Sequence, residues 1–330
     1  MLQVLLTIDT EFWPSTPREW PAAALPRPLP TLEDDYARDV MGQTASGDHG
    51  LPYLLDSLAA HRLNAVFFVE SLHASALGGA LLQRMVRTIR AANQDVQLHV
   101  HTEWLSEVTS ATLPRPYRQN LGDFNLADQT DIVRQALGNL RAAGAPGVVA
   151  LRAGNLGGNQ NTVYAAKASG LTWDMSLDLA RARALFETVQ DRARREGAAS
   201  ACPTIPLACV EDYPGHFRHM QLAALSFAEL QHALFCAERE QWPYFVIMLH
   251  SFELVKRNVS RGTLARPHGI NQRRWNQLCK LLDQRRDIFR TVTCRDLVLA
   301  GTNGSGTQVA RTLPSHTLWR IAEQLASRIL

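Results

Sequence analysis

Short apolar runs recur along this chain, each closed by a small polar cluster and separated from the next by a longer helical pattern. The runs fall at 2–8, 64–69, 95–100, 147–151, 172–176, 203–207, 244–249 and 289–293, and the helical stretches at about 50–61, 79–92, 128–143, 160–169, 180–196, 226–241 and 271–284. The runs are continuously apolar rather than alternating, which predicts strands of a parallel sheet covered on both faces. Seven or eight such units in one chain predict an α/β fold, a closed or nearly closed distorted (β/α)7-8 barrel. In that architecture chemistry gathers at the C-terminal strand ends, where the polar clusters of this chain stand.

Two segments interrupt the rhythm. Residues 12–48 run from Trp13-Pro14 through a Pro-rich stretch to Glu33-Asp34-Asp35, and residues 104–127 follow a histidine pair. Both are expected to be active-site loops of one barrel spanning 1–300. The tail, 301–330, opens with Gly301-Thr302-Asn303-Gly304-Ser305-Gly306, a flexible joint. It continues into an amphipathic helix over 318–330, expected to dock on the barrel or to serve as a homodimer interface.

Charge is scattered, with a formal net of +3 over 330 residues, and no basic stripe of the kind nucleic-acid binding requires. Cys202, Cys209, Cys236, Cys279 and Cys294 are odd in number and form no CxxC pair, so buried free thiols are expected. No run approaches the length of a transmembrane helix. The start lacks a basic region and a small-residue cleavage site, so the expected compartment is the cytoplasm.

Asp9 and Glu11 are two apart at the end of their run and should project from one face of the strand. His99 and His101 repeat that spacing. Two imidazoles and a carboxylate are a sufficient ligand set for a catalytic metal with an open position. Arg152 closes run 147–151 and can hold a carboxylate such as Asp9 in a bidentate pair, keeping it ionised. The Gly154-Asn155-Leu156-Gly157-Gly158 turn lacks the lysine of a phosphate loop. His250, after Tyr244-Phe245-Val246-Ile247-Met248-Leu249, can donate a proton near neutrality. Asp174 and Ser176 are again two apart. Trp13, Trp20 and Trp104 lie in or beside the long loops, where an indole either stacks on a sugar or anchors the loop.

These motifs, in this order and at strand ends, resemble the polysaccharide deacetylase superfamily (NodB homology, carbohydrate esterase 4) over residues 1–296. The resemblance rests on Thr7-Ile8-Asp9-Thr10-Glu11, Val96-Gln97-Leu98-His99-Val100-His101, Leu151-Arg152-Ala153-Gly154-Asn155 with Trp173-Asp174-Met175-Ser176, and Val246-Ile247-Met248-Leu249-His250-Ser251. It is closest to the WalW-like surface-glycan branch. The resemblance implies metal-assisted removal of an N- or O-acetyl group from a sugar during cell-surface polysaccharide or lipopolysaccharide biosynthesis. Asp9 then matches the base held by Arg152, His250 the general acid, and Leu249 the residue beside the acetyl pocket. Trp104, Asp174 and Asn155 are the remaining expected substrate contacts.

Two positions depart from the family pattern. Thr10 replaces the acid that usually follows the base, and Glu103 stands where the second histidine is usual. Glu11, His99 and His101 are therefore the expected ligands of one divalent ion, with Glu103 an alternative to His101. Zinc is the first expectation, and nickel, cobalt, manganese or iron suit the same donors. The same superfamily offers a metal-free cyclic-amide hydrolase and a lipid-linked aminosugar deformylase as alternatives. A non-catalytic glycan-binding barrel is the non-enzyme reading.

Overall fold

The structure, a computed structural model, describes residues 1–13, 31–108, 113–114, 118–181, 201–258, 263–298 and 309–329. The chain opens with β1 (Leu2–Thr10), in which Leu5, Leu6 and Ile8 are fully buried. Each such side chain withdrawn from water contributes about 1.5–3 kcal/mol, which is what holds a continuous apolar strand in the middle of a sheet. Thr7 is the polar exception, and its hydroxyl is satisfied by donating to the Ile247 carbonyl at 2.8 Å.

Next come α1 (Leu32–Tyr36), a π-helical turn (Ala37–Met41), the hairpin β2 (Gln43–Thr44) and β3 (Gly47–Asp48), and α2 (Leu51–Ala60). Then follow β4 (Val66–Glu70), α3 (Ala74–Leu77), α4 (Ala80–Ala91), β5 (Asp95–Val100) and α5 (Leu126–Ala142). The middle of the chain holds β6 (Ala150–Ala153), α6 (Gln160–Ala168), β7 (Trp173–Asp174) and the hairpin β8 (Cys209–Tyr213) and β9 (His216–His219). After α7 (Phe227–Arg239) and β10 (Tyr244–His250), the hairpin β11 (Val255–Asn258) and β12 (Thr263–Pro267) leads to α8 (Gly269–Gln284) and β13 (Phe289–Thr291). β14 (Val309–Arg311) and α9 (Pro314–Ile329) end the described chain.

The main sheet is parallel, in the order β10-β1-β4-β5-β6-β7, with β13 added beside β1. Beyond β7 it is carried round by isolated bridges: Asp174 to Thr204, Asp178 to Leu207, and Gln221 to Met248 on β10. The Met220 amide joins this arc by donating to the Ala208 carbonyl at 2.9 Å. The expected α/β barrel is thus observed in distorted form, as a curled sheet whose last sector is bridged rather than laddered.

That sector corrects one expectation. The run 203–207 forms two bridges and no strand, because Pro203 and Pro206 cannot donate to a ladder. α5 begins at Leu126, ahead of Asp128, because the Asn125 side chain accepts from the Asp128 amide and caps the helix there. Residues 31–48 of the expected long loop carry regular structure; 14–30 of it, and the expected helix at 180–196 from residue 182 on, lie outside the described residues. None of the five cysteines forms a disulfide and all are buried, as expected.

The tail is tied to the barrel. β14 pairs with β8 in parallel, and α9 docks through charged side chains. Arg320 reaches Asp212 at 3.0 Å and Glu229 at 3.2 Å, and Glu323 meets Arg274 at 2.6 Å. The expected flexible joint, 301–306, lies outside the described residues.

Candidate active site

Parallel register lines up the strand ends. Asp9 on β1 stands opposite His250 on β10, and His99 on β5 opposite Arg152 on β6. Asp9 is buried, and its Oδ1 accepts from Arg152 Nη1 at 2.6 Å. The pair is not bidentate as expected: Arg152 Nη2 donates instead to the Thr7 hydroxyl at 2.9 Å. The guanidinium also lies 4.2 Å from the centre of the Phe68 ring. With Oδ1 engaged, Asp9 Oδ2 points between His99 Nε2 at 3.9 Å and His250 Nε2 at 4.0 Å.

The metal-type ligands converge beside it. Glu11 Oε2 lies 2.7 Å from His101 Nε2 and 3.1 Å from His99 Nε2, and the three ligand atoms fall within 4.8 Å of one another. The other nitrogen of each ring is occupied. His99 Nδ1 donates to the Arg152 carbonyl at 2.9 Å, and His101 Nδ1 meets Glu103 Oε2 at 3.1 Å. A carbonyl can only accept, so His99 carries a proton on Nδ1, and Nε2 is the nitrogen turned toward Glu11. Such acceptors on the outer nitrogen are how proteins orient imidazole ligands. The donor set, its burial and the outer-nitrogen partner of each ring therefore fit a divalent ion, which would take the place of the Nε2 protons. Glu103 stands behind His101 and is itself held by Asn155 Nδ2 at 2.8 Å.

Electrostatics agree with the geometry. Burial works to raise Glu11, but the charges and hydrogen bonds of His101 and His99 outweigh it and hold the carboxyl well below its ordinary range. Burial likewise works to lower His101, and Glu11 and Glu103 more than reverse it.

On the opposite wall, His250 Nδ1 contacts Glu253 Oε1 at 2.7 Å. Gln221 Nε2 donates to the same oxygen and lies 3.4 Å from His250 Nδ1. Burial acts to depress His250, but Glu253 first, then Glu11 and Asp9, raise it to about 9. Its Nε2 faces Asp9, and the side chain keeps 21% of its surface exposed. Neither Glu253 nor Gln221 was anticipated. Glu253 sits three residues after His250, where a 3-10 turn (Ser251–Leu254) stacks the two on one side.

The expected substrate contacts divide. Trp104 is 1% exposed, stacked on Trp13 at 5.7 Å and met edge-on by Phe12 at 5.8 Å, so it anchors the loop and has no face free for a sugar. Trp13, half-buried, covers the His101 ring edge-on at 4.6 Å. Asp174 is buried, and burial pushes its carboxyl up to about 6 against the pull of Ser176, Thr204 and Arg152. Leu249 is fully buried behind His250. Asn155, in the left-handed region at φ 59°, is exposed at the rim. Trp20 lies outside the described residues.

No family model matches the chain, and no curated protein matches it. Among solved structures, a candidate polysaccharide deacetylase from Mycobacterium smegmatis matches with a TM-score of 0.52 at 14% identity, over 88% of this chain and 86% of that one. A family 4 carbohydrate esterase from Streptomyces lividans, in complex with acetate, matches with a TM-score of 0.39 at 12% identity, over 88% and 92%. A peptidoglycan deacetylase from Bacillus subtilis matches with a TM-score of 0.37 at 11% identity, over 99% and 96%. The first of these shows that the curled α/β sheet of this chain is a fold shared with a deacetylase-like protein.

Proposed function

We propose that the chain is a metal-dependent hydrolase that removes an acetyl group from an N- or O-acetylated sugar, in the assembly of a cell-surface polysaccharide. The observation that carries the reading is the convergence of His99 Nε2, His101 Nε2 and Glu11 Oε2 beside an Asp9 oxygen that faces both His99 and His250. The fold shared with the mycobacterial candidate deacetylase supports it.

Glu11, His99 and His101 would hold the ion, zinc being the first choice among those such donors accept. When bound it lowers the pKa of a water and polarises the acyl carbonyl. Arg152 and Thr7 fix Asp9 so that Oδ2 alone is free to take the proton of the attacking water. His250, across from Asp9, delivers a proton to the departing nitrogen or oxygen, and an amine leaves only once protonated. Glu253 keeps Nδ1 of that imidazole occupied, so Nε2 is the nitrogen that serves the substrate.

The test is elemental analysis of the purified chain together with acetate release from a panel of acetylated aminosugars and O-acetyl sugars. The reading expects one divalent ion per chain and acetate release that depends on it. A chain that binds no ion under metal-replete conditions and releases no acetate would overturn it.

A further inference from the structure

Helix α9 turns its apolar side to solvent. Leu318, Trp319, Ile321 and Leu325 are 68%, 59%, 43% and 55% exposed, and Leu313, just ahead of the helix, is 47% exposed. The charges among its described side chains point the other way. Arg320 is buried against Asp212 and Glu229, and Glu323 pairs with buried Arg274. Glu323 is the only acid in residues 314–329, so the outward face carries no carboxylate. A surface helix ordinarily lays its apolar stripe on the core; here the ion pairs hold the stripe outward.

The helix also stands close to the candidate site. Arg274, its partner on α8, donates to the carbonyls of Leu222 and Ala223 at 3.4 and 3.2 Å. Gln221, the preceding residue, contacts His250 and Glu253. One layer of chain separates the stripe's support from the acid.

We propose that α9 docks on the surface of a lipid bilayer, lying in its plane with Leu318, Trp319, Ile321 and Leu325 inserted, and so holds the cleft beside the membrane. No helix of the described residues is long and apolar enough to cross a membrane, so the contact is one of lying on, not spanning. Among the described residues the stripe has five apolar side chains, few beside the roughly 20–30 residues a side of a stable protein interface, whereas interfacial binding grows with each apolar side chain inserted. An anionic headgroup layer repels carboxylates, and the outward face offers none. A tryptophan at the edge of the stripe suits the headgroup boundary.

Flotation of the full chain with phosphatidylcholine–phosphatidylglycerol vesicles tests this, compared with a Leu318→Ser, Trp319→Ser, Leu325→Ser variant. All three positions are exposed, so the variant should keep the parent melting temperature. The parent is expected to float with the vesicles and the variant to bind at least about tenfold more weakly. A parent that stays with the soluble fraction overturns the proposal, as does a variant that floats equally well. A parent dimer in sedimentation that the variant converts to monomer, without vesicle binding, assigns the stripe to a second copy and overturns it too. None of these substitutions touches the catalytic groups, so failure here leaves the deacetylase reading standing.

Discussion

Gly154 lies flat against the imidazole of His101, so close that a Cβ at 154 would sit 2.5 Å from Nδ1 and 2.6 Å from Cγ. The glycine after Arg152-Ala153 is therefore a condition for the position of His101, a proposed ligand. Gly154→Ala is expected to push His101 away from Glu11 and to weaken ion binding by roughly 10–100-fold, the usual cost of disturbing a ligand's support. Competition with a zinc-sensitive dye measures it, and retained secondary structure by circular dichroism separates it from unfolding.

Asp9→Asn keeps the shape of the side chain and removes its basicity. Acetate release should fall by roughly 10²–10⁴-fold, the span general-base catalysis covers. Ion content should stay at the parent level, because Asp9 is not among the three converging ligands. An equal loss of ion and activity would show that Asp9 acts through the metal.

The charged His250–Glu253 pair sets a pH dependence. His250 is raised to about 9, so the acid is present at neutral pH and acetate release should decline only as pH climbs through about 9. Because the folded value lies above the ordinary 6.5, the pair's contribution to stability is complete below about 6.5 and is lost as pH rises through about 9. Glu253→Gln should move the alkaline limb of the rate profile to lower pH. A profile unchanged by that substitution would remove Glu253 from the positioning of the acid.

Arg320→Ala should strip the guanidinium from Asp212 and Glu229, 2% and 0% exposed, leaving only His216 on the first and Ser226 and Thr317 on the second. Breaking such a pair costs roughly 3–5 kcal/mol. A urea titration would show this as an earlier midpoint, and Arg320→Met would recover part of the loss by packing.

The strand ends of the candidate site were legible because β1, β5, β6 and β10 are announced by continuous apolar runs, and period-two spacing put Asp9 with Glu11 and His99 with His101 on shared faces. The way Arg152 divides between Asp9 and Thr7 was not legible, since it depends on how far two non-adjacent strands curl toward each other. Between a sugar and the loop, the sequence left Trp104 open, because an indole reads the same whichever it faces; packing against Trp13 and Phe12 places it on the loop. Two signals went unread. Pro214-Gly215 marks the turn between β8 and β9, and Glu253 follows His250 by the three residues that a 3-10 turn stacks.

Arg152 takes part twice: its guanidinium grips Asp9, and its own carbonyl receives the Nδ1 proton of His99. One residue of β6 thus braces both the proposed proton acceptor on β1 and a proposed ligand on β5. The two side chains come from non-adjacent strands, and Arg152 is the strut that spans them, as a crossbar sets the gap between two posts. Arg152→Lys would leave the carbonyl tether in place and shift the other, uncoupling the pair while the ion stays bound.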